Sequence, residues 1–97
     1  MFVGVCRVEI HIHAAESLKD KRGVIQSVAS RIRNQFSVSV AEIESQDNHH
    51  LAVLGIAAVS NQAGHADEIV RKVAHFLDQA RLDAEVGLVE FDVLSAF

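Results

Sequence analysis

The sequence predicts an α+β fold of the ferredoxin-like kind, βαββαβ, in which a four-stranded antiparallel sheet carries two helices on one face. Apolar residues alternate with period two in some stretches and recur at helical spacing in two others, and the elements run strand, helix, strand, strand, helix, strand. Two strand–helix–strand halves with right-handed crossovers then interleave into one sandwich and leave the second sheet face bare. With 97 residues, 49 % of them hydrophobic, and no repeat or linker, residues 1–97 read as a single domain around one core.

The first strand carries the clearest pattern. Residues 1–6 are continuously apolar, after which Cys6, Val8, Ile10 and Ile12 alternate with Arg7, Glu9, His11 and His13. One face is thus buried and the other wet. Ser17 followed by Asp20 predicts a helix start, because the hydroxyl can accept from a free first-turn amide and the carboxylate favours the positive end of the dipole. Val24, Ile25, Val28, Ile32 and Phe36 then recur on one side of a helix of about four turns.

Residues 37–44 return to alternation around Val38 and Val40, with Ala41 and Ile43 in the same stretch. SQDNHH, residues 45–50, is a cluster of turn formers, and LAVLGIAAVS, residues 51–60, is an apolar run of strand length, so the pair forms a hairpin. Ser60 or Asn61 is expected to cap the second helix, whose apolar positions Ala66, Ile69, Val70, Val73, Phe76 and Leu77 run on toward Ala80. The last strand, residues 85–94, sets Val89, Phe91 and Val93 against Leu88, Glu90, Asp92 and Leu94.

Charge is spread unevenly over these elements. The net charge is −4, yet Lys19, Lys21, Arg22, Arg31 and Arg33, five of the nine basic residues, fall in the first helix beside one acid, Asp20. Advancing about 100° per residue puts Lys21 in the middle of the core-facing side, Lys19, Arg22 and Arg33 together on one flank, and Arg31 on the other. A lysine on the inner side of a first turn is expected to lay its methylenes over apolar surface and keep its ammonium in water, beside the unpaired amides of the helix start. Lys19, Lys21, Arg22 and Arg33 are therefore the candidate nucleic-acid or anion site, suited to a phosphate of RNA or of a small ligand. The competing reading pairs Lys21 with a carboxylate such as Glu9 or Glu16 and leaves the flank cations as a solvated face.

Other chemistry is thin. His11 and His13 share one strand face and His49 and His50 lie in the hairpin turn, but a third metal ligand would have to come from afar, so no metal site and no cofactor is assigned. There is no Gly-x-Ser-x-Gly, no Gly-rich phosphate loop and no second cysteine to join Cys6, which alternates with buried residues; no catalytic residue is assigned. An RNA-recognition motif stacks bases on strand aromatics, and LAVLGIAAVS has none. With no apolar run of membrane-spanning length and no secretory pattern at the N-terminus, the expectation is a cytoplasmic protein that does not engage a membrane.

The stretch SLKDKR, Ser17 to Arg22, together with FVGVCRVEIHI, RNQFSVSVAEI, the QD of the hairpin turn and LGIAAVSN, resembles the YlxP-like proteins, a bacterial family of small proteins of uncharacterised role. The resemblance runs through almost the whole chain. It implies a ferredoxin-like fold, and gene neighbourhoods shared with translation and ribosome-maturation factors such as ribosome-binding factor A, hence contact with RNA or the ribosome. It brings no catalytic residue. Ala14 and Ala15 stand where many relatives look like Pro-Gly, and His49 stands where an aromatic is common, which reshapes the loop before the basic motif and weakens base stacking at the hairpin.

These readings describe a non-enzymatic accessory protein, expected to touch RNA or a ribosomal particle through Lys19, Lys21, Arg22 and Arg33 and to form a homodimer. One alternative is a regulatory dimer that holds a small anionic ligand at the N-terminus of the first helix. The other is a protein–protein adaptor working through the bare sheet face, where Val53, Gly55, Ala57 and Val59 join Val3 and Val5 in an apolar patch.

Overall fold

A computed structural model describes all of residues 1–97. Six elements follow in the expected order: β1 (Phe2–His11), α1 (Leu18–Gln35), β2 (Ser39–Glu44), β3 (Leu51–Ser60), α2 (Ala63–Gln79) and β4 (Glu85–Ser95). The sheet runs β2-β3-β1-β4 with every neighbouring pair antiparallel, so β1 and β2 are parallel with β3 between them, as are β3 and β4 with β1 between them. This is the α+β ferredoxin-like arrangement, both helices lying on one face of the sheet.

Register fixes which residues meet the helices. Cys6 pairs with Ile56 on one side and Phe91 on the other, and Val40 pairs with Ile56, so these side chains share the covered face. Cys6, Val8, Ile10 and Ile12 join Ala52, Leu54, Ile56 and Ala58 under Val28 and Ile32 of α1 and Val70, Val73 and Leu77 of α2. Each fully buried Val, Leu or Ile here contributes about 1.5–3 kcal/mol relative to exposure. Phe36 and Phe76 close the distal end edge-to-face, with ring centroids 5.7 Å apart.

Helix α1 begins as its sequence requires. Ser17 is extended, its hydroxyl accepts from the Asp20 amide at 3.1 Å, and the Asp20 carboxylate accepts from the Glu16 amide at 3.0 Å. The cap satisfies one free amide of the first turn, ties down the residue before it and seats a negative charge on the dipole end. Helix α2 departs from expectation. Its N-cap is Gln62, without a side-chain cap, because Ser60 still belongs to β3 and Asn61 lies outside the helix. The Ser60 hydroxyl instead accepts from the Gln62 amide at 3.1 Å and meets His65 Nδ1 at 3.0 Å.

Both outer strands carry irregularities. The β2–β3 register shifts between Glu42 and Glu44, and the β1–β4 register shifts beyond Val8, where the Glu9 carboxylate accepts from the Leu88 amide at 3.2 Å. Bulges of this kind bend a strand and re-aim its side chains.

Candidate functional site

The cations expected to gather at the start of α1 do not converge. Lys21 is 1 % exposed, and its ammonium donates to the carbonyl oxygens of Ser45 at 2.8 Å, Asn48 at 2.7 Å and Leu51 at 2.9 Å. Glu42 Oε2 stands 2.7 Å from the same nitrogen. An ammonium has three protons, and all three are spent on carbonyls. Glu42 therefore receives charge but no hydrogen, which is why its Oε2 has a cation at contact distance and yet no hydrogen-bond partner.

The assignment of Lys21 to an anion site is thus corrected: it is an internal cation that folds the β2–β3 turn over the end of α1. The sequence placed it rightly on the inner side of the helix, but its ammonium does not reach water. Its carboxylate partner is Glu42 rather than Glu9 or Glu16.

Of the other three, Lys19 and Arg22 are exposed and make no ion pair, whereas Arg33 donates from Nη2 to Val40 O on the β2 edge at 2.7 Å. Arg31, on the opposite flank, donates to Arg81 O at 2.8 Å. The Asp20 carboxylate closes the helix start between them.

The histidines on β1 face acids. His13 Nε2 lies 3.1 Å from Glu85 and His11 Nε2 lies 3.9 Å from Glu9, with the two imidazoles stacked. His49 and His50 touch each other in the turn. No three His, Cys, Asp or Glu side chains are grouped to hold a metal ion.

Cys6 is 2 % exposed, and burial pushes its thiol up from 9.0 to about 11, the nearby Arg71 charge acting in the opposite direction. A thiol so held is a core group rather than a nucleophile. Native protein at pH 8 should react slowly with a thiol reagent and completely once unfolded; rapid labelling of the folded chain would contradict this. Since the unfolded thiol loses its proton first, stability should also fall as pH rises from about 9 toward 11.

The bare face of the sheet holds the most developed surface feature. Val5 pairs with Ala57, Arg7 with Gly55, Ser39 with Ala57 and Ala41 with Gly55, all pointing away from the helices. Val5, Ala41, Gly55 and Ala57 line a groove of about 600 Å³, with the Ile43 side chain, 46 % exposed, on one bank and Arg7, Glu90 and Asp92 on the other. Gly55 forms the floor, where a Cβ would come within 3.0 Å of Ile43.

Arg7 spans the face, reaching Glu44 on β2 at 2.7 Å and Glu90 on β4 at 3.4 Å. Glu9, Glu44, Glu85, Glu90 and Asp92 share this face by register or by contact with Arg7 and the β1 histidines, against Arg7 as its one guanidinium. The surface is an apolar trough with an acidic rim. The acids lie on three strands, so only the strand order reveals that they share a face. The sequence does show β3 apolar on both sides, which marks the patch without its rim.

The match to known proteins runs the length of this architecture. Residues 3–91 match the family model described as "Protein of unknown function (DUF503)". The chain belongs to the DUF503 family. A relative from the same kinship, "Uncharacterized protein YlxP" of Bacillus subtilis (strain 168), is 37 % identical over 76 residues, covering 78 % of this chain and 83 % of the relative. The DUF503 match spans β1 through Phe91 of β4 and so takes in both Lys21 with its turn and the whole grooved face. No helix is long and apolar enough to cross a membrane.

Proposed function

We propose that this DUF503 chain is a non-enzymatic docking module whose bare sheet face binds a protein partner presenting an apolar side chain between Lys or Arg residues. The observation that carries this reading is the trough of Val5, Ala41, Gly55 and Ala57 beneath Glu44, Glu90 and Asp92. An apolar floor favours burial of a partner's hydrophobic group, and an acidic rim selects cations at its border. The same rim repels a nucleic-acid backbone, and the trough carries no Phe, Tyr or Trp side chain on which a base would stack. A second copy would bring its own carboxylates against these, so the expected homodimer finds no charge support on this surface. A cytoplasmic setting belongs to the proposal and accords with a single, free, buried Cys6.

Contact with RNA or a ribosomal particle through Lys19, Arg22 and Arg33 is the competing outcome, supported by Lys19 and Arg22, the two exposed cations of α1 that make no ion pair. An amide-resolved NMR titration at physiological salt separates the two, with three probes: a nine-residue peptide alternating Val and Lys, its Val and Glu counterpart, and a single-stranded RNA oligomer. The Lys peptide should shift Val5, Ala41, Gly55 and Ala57, and the Glu peptide should not. Equal response to both peptides, or a response to RNA alone centred on Lys19 and Arg22, would overturn the reading.

A further inference from the structure

The two edges of the sheet are built differently, and the difference indicates how a partner attaches. The β2 edge is short, six residues, interrupted by a bulge, and its Val40 carbonyl is occupied by the Arg33 guanidinium at 2.7 Å. Short length, a bulge and a covering cation are the devices by which a sheet edge is kept from pairing.

The β4 edge has eleven residues, its own bulge lies toward its start, between Val86 and Val89, and no cation covers its outer side from Val89 to Val93. The bond from Ala96 N–H to Met1 O, 2.8 Å, extends the β1–β4 ladder through the even-numbered positions of β4. By alternation, Val89, Phe91 and Val93 turn their amides and carbonyls outward. The Val93 amide is met by the carboxylate of its own neighbour, Asp92, at 2.8 Å.

We infer that β4 accepts an extended segment of a partner protein as a fifth strand, with Val-like residues over Val89, Phe91 and Val93 and Lys or Arg over Glu90 and Asp92. This rests on the docking reading above and adds where the partner is anchored. The strand lies along β4 with its cations on the bare face and its apolar row on the helix side, and the trough takes a residue of the partner that follows the strand. On the helix side, Val89, Phe91 and Val93 are only half-buried, and Phe91 lies under the Arg71 guanidinium, 4.4 Å from the ring centroid, with the Arg71 charge met by Asp67 at 2.9 Å. An added strand covers this row with apolar side chains. On the bare side, the incoming carbonyl replaces Asp92 at the Val93 amide, and the released carboxylate joins Glu90 opposite the incoming cations. A second copy pairing β4 to β4 about Phe91 would set Glu90 against Asp92 across the seam. Like charges in that position oppose a homodimer and favour a basic strand.

The test uses the full-length chain and the alternating Val and Lys peptide, unmodified, N-methylated at its Val residues, or N-methylated at its Lys residues. In the inferred register the Val amides face β4 and the Lys amides face solvent. The unmodified peptide should slow hydrogen exchange at Val89, Phe91 and Val93 at least tenfold. N-methylation at Val should abolish that protection and weaken binding tenfold or more, while N-methylation at Lys changes neither. If every peptide shifts Ala41, Gly55 and Ala57 alike and β4 exchange stays unchanged, the fifth strand is overturned while the sheet-face reading stands. Absence of binding by all three overturns both. Protection of the β4 amides by concentration-dependent self-association without peptide overturns the cationic strand in favour of a second copy.

Discussion

Replacing Lys21 by Met should cost about 3–5 kcal/mol, the range for removing one partner of a buried ion pair, and lower the midpoint of thermal unfolding by roughly 15–30 °C. The loss is large because Met removes the ammonium that ties the carbonyls of Ser45, Asn48 and Leu51 together, leaving Ser45 with only the Asn48 amide, and leaves the Glu42 carboxylate, 21 % exposed, without its cation. Against a typical total of about 5–15 kcal/mol, one side chain then decides whether the domain stays folded at 37 °C. Arg at this position should not rescue it, because a planar fork cannot place three protons in a cup shaped for an ammonium. Adding Glu42→Leu to the Met variant should recover part of the loss and never all of it, since the hydrogen bonds from the ammonium to the three carbonyls are still missing. Urea denaturation of the two single variants and the double variant measures each term. A Met variant within 1 kcal/mol of the parent would show that the turn does not depend on this cation.

Gly4→Val should be the second severe substitution, costing about 3 kcal/mol or more as an overpacked contact. Gly4 pairs with Ala58 and Val93 on the covered face, directly under α2, where a Cβ would lie 2.3 Å from the Ala66 carbonyl oxygen and 2.7 Å from its carbon. The obstacle is backbone, so α2 itself has to lift from the sheet. Gly4→Ala should share much of the effect, and Ala66→Gly should relieve little of it because the carbonyl remains. Gly23 is the control. It lies in α1 with nothing within 4 Å of the point a Cβ would occupy, so Gly23→Ala should stabilise by about 0.5–1 kcal/mol through reduced freedom of the unfolded chain. Denaturation midpoints that rank the Gly4 variants level with Gly23→Ala would contradict the close approach of α2 to β1.

The elements were legible because their patterns are local. Alternation in Cys6, Val8, Ile10 and Ile12 and helical spacing in Val24, Val28 and Ile32 need only near neighbours in sequence, and the register places them as read. The inward side of Lys21 was legible for the same reason. Its environment was not. Three of its oxygens come from a turn 24 to 30 residues away and the fourth from Glu42, aimed inward just before a bulge that no local pattern announces.

The α2 cap misled because Ser60 is a good capping residue by type, yet β3 holds it to its last position and Gln62 takes the cap. For the candidate site, the apolar patch could be read from β3 alone, whereas its acidic rim depends on Glu44, Glu90 and Asp92 arriving from two outer strands. The cluster of cations in α1 was a true feature of composition, but the fold disperses it into an internal pair, an edge cap, a tie from Arg31 to the Arg81 carbonyl and two solvated side chains.

The measurement that bears most directly on this account is the affinity of the alternating Val and Lys peptide for three proteins: the parent, the Glu90→Lys/Asp92→Lys variant and the Lys19→Glu/Arg22→Glu variant. Reversing the rim should weaken binding tenfold or more, about 1.4 kcal/mol, and reversing the helix cations should leave it within twofold. Unchanged binding by the rim variant would contradict the assignment of the sheet face as the working surface of this protein.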